Sequence, residues 1–154
     1  GIAQALVLTH DFIGMSRSVV ILGDNVFDND QLIKDVAGWN PKDDACIFLK
    51  KVPDSRRFGV PTFLPNMMIN FITEKPDAPA CDMAVVGLYS FPPDVFQIID
   101  ILKPSGRGEL EITDVNNAYA KKQKLGYRTV TGFWSDAGTP ESLAHTTAWA
   151  SSKR

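Results

Sequence analysis

The sequence predicts one α/β domain built on a mostly parallel sheet. Three observations carry that expectation. Short β-branched apolar runs recur along the chain, helix-patterned segments separate them, and 154 residues fit one domain and leave little room for a second. There is no internal repeat, low-complexity stretch or linker that would divide residues 1–154.

The elements follow in order. Ile2, Leu6 and Ile13 mark one apolar face of an opening helix, with no capping residue before Gly1. A natural domain rarely begins inside a helix, so a further segment is expected upstream. Val19 to Leu22 is an unbroken aliphatic run ending in Gly23-Asp24, the pattern of a strand buried on both faces. Asp30 can cap a short helix through Leu32, Ile33 and Val36, and residues 39–44 read as a loop before a second strand at Ala45 to Leu49. Val60 to Phe63 and Met68 to Ile72 form a hairpin around Pro65-Asn66, although the turn lacks a glycine.

Asp82 to Phe91 is the third strong strand, and Pro92-Pro93 opens a helix whose face is Val95, Phe96, Ile98, Ile99 and Leu102. Residues 105–109 are a charged, glycine-rich loop. Thr113 or Asp114 caps a helix to Lys122, and Tyr127 to Phe133 is another strand. Thr139-Pro140 supplies an N-cap and a first-turn proline for the last helix.

Composition narrows the function. At 44% hydrophobic and 22% charged, the chain is too apolar for a disordered protein. Sixteen Lys plus Arg against eighteen Asp plus Glu leave a net charge of −2, which argues against a nucleic-acid or polybasic membrane binder. No apolar run approaches the roughly 18 residues that span a bilayer, and the start has no signal-like basic region. Cys46 and Cys81 imply neither a disulfide framework nor a zinc site, so a reducing cytoplasm is the expected compartment.

In open α/β sheets, ligands bind beyond the carboxyl ends of the strands. Asp24 and Asp136 stand at two such ends. A carboxylate pair there suits Mg²⁺, which takes one or two protein carboxylates and fills its sphere with water and phosphate oxygens. Each acid alone also fits an ordinary turn residue. Lys75 can neutralise a phosphate and Glu74 can accept from sugar hydroxyls, though the two also fit an exposed ion pair. Gly59 and Gly87 lie in strand patterns, where glycine marks a close approach or a bulge.

The order of seven segments is more specific than any one of them. Gly1-Ile-Ala-Gln-Ala, Leu22-Gly-Asp-Asn25, Arg57-Phe-Gly-Val60, Thr73-Glu-Lys-Pro76, Val85-Val-Gly-Leu-Tyr89, Gly108-Glu-Leu-Glu-Ile-Thr-Asp-Val-Asn116 and Trp134-Ser-Asp-Ala-Gly-Thr-Pro-Glu-Ser-Leu143 together resemble the sugar-1-phosphate nucleotidyltransferases. The glucose-1-phosphate thymidylyltransferase branch is the best match, along essentially the whole chain. The resemblance implies a Rossmann-like fold with helices on both faces of the sheet and its N-terminal strands missing here. It implies an enzyme of dTDP-sugar and polysaccharide biosynthesis that joins dTTP to glucose 1-phosphate and releases pyrophosphate.

By that resemblance Asp24 and Asp136 are the catalytic Mg²⁺ carboxylates, Gly1 contacts the nucleoside, and Gly59, Glu74, Lys75, Val86 and Gly87 form the sugar-phosphate pocket. The expected partners are a sugar 1-phosphate and a nucleoside triphosphate or NDP-sugar, with a second copy of the chain or a complementing N-terminal segment. Departures from the family pattern are Phe58 where tyrosine is usual, Val26-Phe-Asp28, Ser135-Asp-Ala137, and no Gly-x-Gly-Thr-Arg-Leu-x-Pro loop. Such loops cradle a triphosphate on backbone N–H groups, so the isolated chain is expected to be inactive. The alternative is a non-catalytic sugar-phosphate-binding or assembly module.

Overall fold

Strand β6 (Met83–Phe91) is the spine of a six-stranded sheet in the computed structural model, which describes residues 1–28, 30–39, 44–106 and 108–153 apart from the side chains of residues 30, 31 and 35. Along one side of β6 runs β3 (Ala45–Lys51), with β7 (Leu125–Thr129) outside it. Along the other side, β1 (Ser18–Ile21) pairs with the C-terminal half of β6, while β4 (Gly59–Phe63) meets it at Gly59↔Val85 and carries β5 (Ile69–Glu74).

The sheet is mixed. The β3–β7 pair is parallel, and β6 runs antiparallel to β1, β3 and β4. The unbroken apolar runs of β3 and β6 therefore encode burial on both faces more than strand direction. Ala45, Ile47, Leu49, Val85, Tyr89 and Phe91 face one core layer under α1 (Ile2–Val7), α4 (Val95–Asp100) and α5 (Ile112–Lys121). Cys46, Phe48, Val86 and Leu88 face a second layer with Leu32 and Val36 of α3 (Asp30–Gly38). Successive strand residues alternate between faces, so a strand covered on both sides needs apolar residues at every position.

β1 departs from that rule. The expected doubly buried strand instead leaves Val19 51% and Ile21 59% exposed, because only one of its faces is covered. The opening helix breaks into α1 and a short α2 (His10–Ile13). Residues 127–133 do not form one strand: β7 stops at Thr129, and a separate β8 (Phe133–Asp136) pairs antiparallel with β2 (Asn25–Asp28). α5 begins at Ile112 with Glu111 in the extended N-cap position, two or three residues before the expected Thr113 or Asp114.

The β4–β5 hairpin forms as expected. Its missing turn glycine is replaced by Met67, which takes φ 64° itself. Asn117 of α5 clamps β5 by accepting from the Ile72 N–H at 2.8 Å and donating to the Ile72 carbonyl at 2.9 Å. α6 (Pro140–Ser151) starts at the expected cap, where the Ser142 N–H donates to Thr139 Oγ1 at 3.1 Å. The expected cap at Asp30 and most of the 39–44 loop lie outside the described residues.

Candidate functional site

The β2–β8 ribbon brings the two aspartates together. Asn25 pairs with Asp136 in its register, and Asp24 directly precedes it. The Ala137 N–H donates to the Asp24 carbonyl at 2.6 Å, closing the ribbon end. Asp24 Oδ2 and Asp136 Oδ2 lie 3.2 and 3.8 Å from the point that a Cβ on Gly138 would occupy, so both carboxylates border the same spot.

Asn25 holds this corner. Its Oδ1 accepts from the Gly87 N–H at 2.9 Å and from Trp134 Nε1 at 2.8 Å, while its Nδ2 donates to Asp24 Oδ1 at 2.8 Å. Gly87 is required by that contact: a Cβ there would stand 2.6 Å from Asn25 Nδ2 and 2.8 Å from Leu22 Cδ1. Arg57 Nη2 donates to Asp136 Oδ2 at 3.0 Å, and Phe58 packs edge-on against Trp134.

The aspartates open onto a cleft of about 220 Å³. Its far wall is the hairpin end: Gly59 faces Glu74 in register, and Lys75 follows. Thr113, on the first turn of α5, donates to Glu74 Oε2 at 2.6 Å, a short charge-assisted bond that fixes the carboxylate. Lys75 takes φ 45°, a conformation a side chain-bearing residue rarely adopts, while its N–H donates to the Phe58 carbonyl at 3.0 Å. Glu74, Lys75 and Thr113 also line an adjoining cavity of about 490 Å³ with Thr73, Asp114 and Asn117.

Electrostatics in the cleft is acidic. Burial, then the charges of Glu74 and Asp24, push the Tyr89 phenol above its ordinary range, so it stays protonated. Burial, then Glu111 and Glu74, likewise raises the Asp114 carboxyl. Two hard carboxylates bordering one spot, with no sulfur or imidazole among the described cleft residues, suit Mg²⁺ completed by water and phosphate oxygens. No cluster of three or more potential metal ligands forms among the described residues, so a bound cation would have to draw on those outside donors.

Of the residues expected from sequence, Asp24, Asp136, Gly59, Glu74, Lys75 and Gly87 line this one cleft. Two do not. The Val86 side chain is fully buried in the second core layer, because strand alternation turns Val85 and Gly87 to the cleft and Val86 away. Gly1 sits against the Leu110 carbonyl, and Ile2 takes the lining position. Sequence reasoning missed Asn25, Arg57, Thr113 and Trp134 as site residues, although each lies inside a segment that carries the family resemblance.

A two-carboxylate cleft on an α/β sheet of this kind fits a nucleotidyltransferase-type domain, and the chain belongs to the nucleotidyl transferase family, whose model matches residues 1–152. Within it, the chain is 39% identical over 148 residues to glucose-1-phosphate thymidylyltransferase of Neisseria meningitidis, covering 93% of this chain and 51% of that protein. It is 34% identical to a low-salt glycan biosynthesis nucleotidyltransferase of Haloferax volcanii, covering 93% and 40%.

A crystal structure of a Bacillus anthracis protein in complex with a sucrose superposes with TM-score 0.86 at 47% identity. That match covers 97% of this chain and 61% of the other. A UDP-glucose pyrophosphorylase complexed with UDP-glucose matches at TM-score 0.81 but 23% identity over 63% of its length, and shows the shared fold alone. The chain thus spans about half the length of the Neisseria relative.

Proposed function

We propose that this chain is the sugar-phosphate-binding part of a glucose-1-phosphate thymidylyltransferase, an enzyme that transfers a nucleotidyl group from dTTP to glucose 1-phosphate to give dTDP-glucose and pyrophosphate. The observation that supports the reading best is the single cleft shared by the Asp24–Asp136 pair and the Glu74–Lys75 hairpin end. A sugar 1-phosphate needs hydrogen-bond acceptors at one end and positive charge at the other, and this cleft offers both.

In this reading the Glu74 carboxylate, held by Thr113, accepts from sugar hydroxyls. Lys75 Nζ neutralises the phosphate and keeps its oxygen directed at the α-phosphorus of the triphosphate. Asp24 and Asp136 would hold Mg²⁺, which would supply Lewis-acid stabilisation of phosphate oxygens when bound. Asn25 keeps Asp24 turned toward Asp136, and Phe58 and Trp134 wall the cleft from water on one side. The chemistry is positioning and charge neutralisation more than covalent catalysis.

Calorimetry with glucose 1-phosphate and with dTDP-glucose, each with and without Mg²⁺, tests the assignment. Both should bind the chain, Mg²⁺ should tighten dTDP-glucose, and Lys75→Ala should abolish glucose 1-phosphate binding. No heat from either ligand at millimolar concentration, with the chain folded, would overturn it. Pyrophosphate release is not expected from these 154 residues alone, since they contain no glycine-rich triphosphate loop. Turnover by pure chain, lost in Asp24→Asn, would show that another segment does that work.

A further inference from the structure

We propose that Arg57 is a displaceable counter-ion of the carboxylate pair: its guanidinium occupies Asp136 Oδ2 until a divalent cation takes that same oxygen, so the two cations compete for one atom. The inference rests on the assignment of Asp24 and Asp136 as Mg²⁺ carboxylates.

The geometry singles out that oxygen. Asn25 Nδ2 engages Asp24 through Oδ1, while Asp24 Oδ2 and Asp136 Oδ2 are the carboxylate atoms nearest the Cβ position of Gly138. A cation bridging these two atoms would take the same Asp136 oxygen that Arg57 holds. Arg57 Nη2 stands 3.0 Å from Asp136 Oδ2. Mg²⁺ requires its oxygen ligands at roughly 2.0–2.1 Å in near-octahedral order, and a guanidinium held at that oxygen both crowds the sphere and repels a divalent charge. Arginine stays charged at every working pH, so it cannot yield by losing a proton and must move.

Its surroundings permit movement. The Arg57 side chain is about half exposed, against 21% for Asp136. Its resting place is over the Phe58 ring, 5.5 Å from the centroid. The guanidinium therefore offsets one of the pair's two negative charges in the absence of a cation. Once displaced it remains beside the cleft, where substrate phosphates require positive charge. Arg56 is the natural control: it carries the same charge one residue away, but pairs with Asp54 through two contacts of 2.8 and 2.7 Å.

The test is Mn²⁺ binding to the 154-residue chain, read by calorimetry and by loss of the free-ion electron paramagnetic resonance signal. Arg57→Met should raise affinity about tenfold, the scale expected when a repelling charge within a few ångströms is removed in a partly wet site. Arg57→Gln is a second variant with the same expectation. Arg56→Met should change affinity by less than about twofold, and Asp136→Asn added to Arg57→Met should remove the gain. In the unsubstituted chain, the Arg57 Nε–H resonance should shift with diamagnetic Mg²⁺ at the concentration that saturates binding. Unchanged or weaker Mn²⁺ binding by both Arg57 variants, with binding by the parent chain intact, would overturn the counter-ion role and leave the metal assignment standing. Absence of Mn²⁺ binding by every folded variant, parent included, would overturn both.

Discussion

Replacing Asn25 by alanine tests whether one side chain holds the corner on which the carboxylates stand. The amide accepts from the buried Gly87 N–H and from the half-buried Trp134 indole, and donates to Asp24. Truncation leaves two donors without that acceptor. A buried donor left unpaired costs about 1–3 kcal/mol. Because Trp134 is only half-buried, water can partly repay the second loss, and the expected destabilisation is about 2–4 kcal/mol. For a chain of this size that corresponds to a melting temperature lower by about 5–12 °C.

Asn25→Asp separates the roles. A carboxylate still accepts from Gly87 and Trp134 but cannot donate to Asp24, and sets a second negative charge beside it. That variant should melt above Asn25→Ala yet bind Mg²⁺ differently from the parent. Circular dichroism melts and urea titrations measure the first effect, calorimetry the second. An alanine variant melting within about 2 °C of the parent, less than 1 kcal/mol is worth here, would refute the claim that Asn25 supports this corner.

Three further outcomes are expected. Lys75→Gly should be more stable than Lys75→Ala by about 1 kcal/mol in urea unfolding, since only glycine relaxes at φ 45°, while both lose glucose 1-phosphate binding. Burial raises the Asp114 carboxyl in the folded state, so its ionisation costs stability as pH rises through the carboxylate range. Asp114→Asn should then exceed the parent in urea midpoint at pH 7 and match it at about pH 3, where both are neutral; an equal gap at both would contradict the burial argument. Val19→Lys with Ile21→Lys should reduce self-association in light scattering, because these half-exposed residues and the 93% exposed Phe12 line one apolar groove along β1, and exposed strand edges pair with other chains.

Much of the architecture was legible because burial leaves a strong residue pattern. The apolar runs 45–49 and 82–91 read as strands and form strands, with both faces covered, and Thr139-Pro140 marks its helix start to the residue. Strand direction was not legible, since a β6 flanked by antiparallel neighbours and covered on both faces carries the same apolar run as a parallel strand. β1 misled for the converse reason: its composition is that of a core strand, but only one of its faces is covered.

At the site, Asp24, Asp136, Glu74 and Lys75 are legible in the resembling segments, whereas Arg57 is not, and Val86 shares a segment with cleft residues although strand alternation turns it away from Val85 and Gly87. Thr113 read as a cap, and only the tertiary contact with Glu74 at 2.6 Å gives it another role. The closure of β2 on β8 was hidden because both strands are short and lie far apart in the chain.

That ribbon explains why the site's residues are unequal subjects for mutation. The catalytic candidates Asp24 and Asp136 are joined through backbone pairing, and the pairing is fastened to the main sheet by Asn25, which reaches the β6 backbone at Gly87. Changes at Asn25, Gly87 or Trp134 therefore alter folding and site geometry together, and a loss of binding there cannot be assigned to contact with a ligand. Glu74, Lys75 and Thr113 stand on the other wall, where the hairpin is independently clamped by Asn117 on Ile72. Removing the Lys75 charge leaves that clamp in place, and replacing it with glycine even relieves backbone strain. A stability gain coupled to a binding loss at Lys75 is what a residue held in a costly conformation for its function must show, and no purely structural role for the lysine produces that pair of signs.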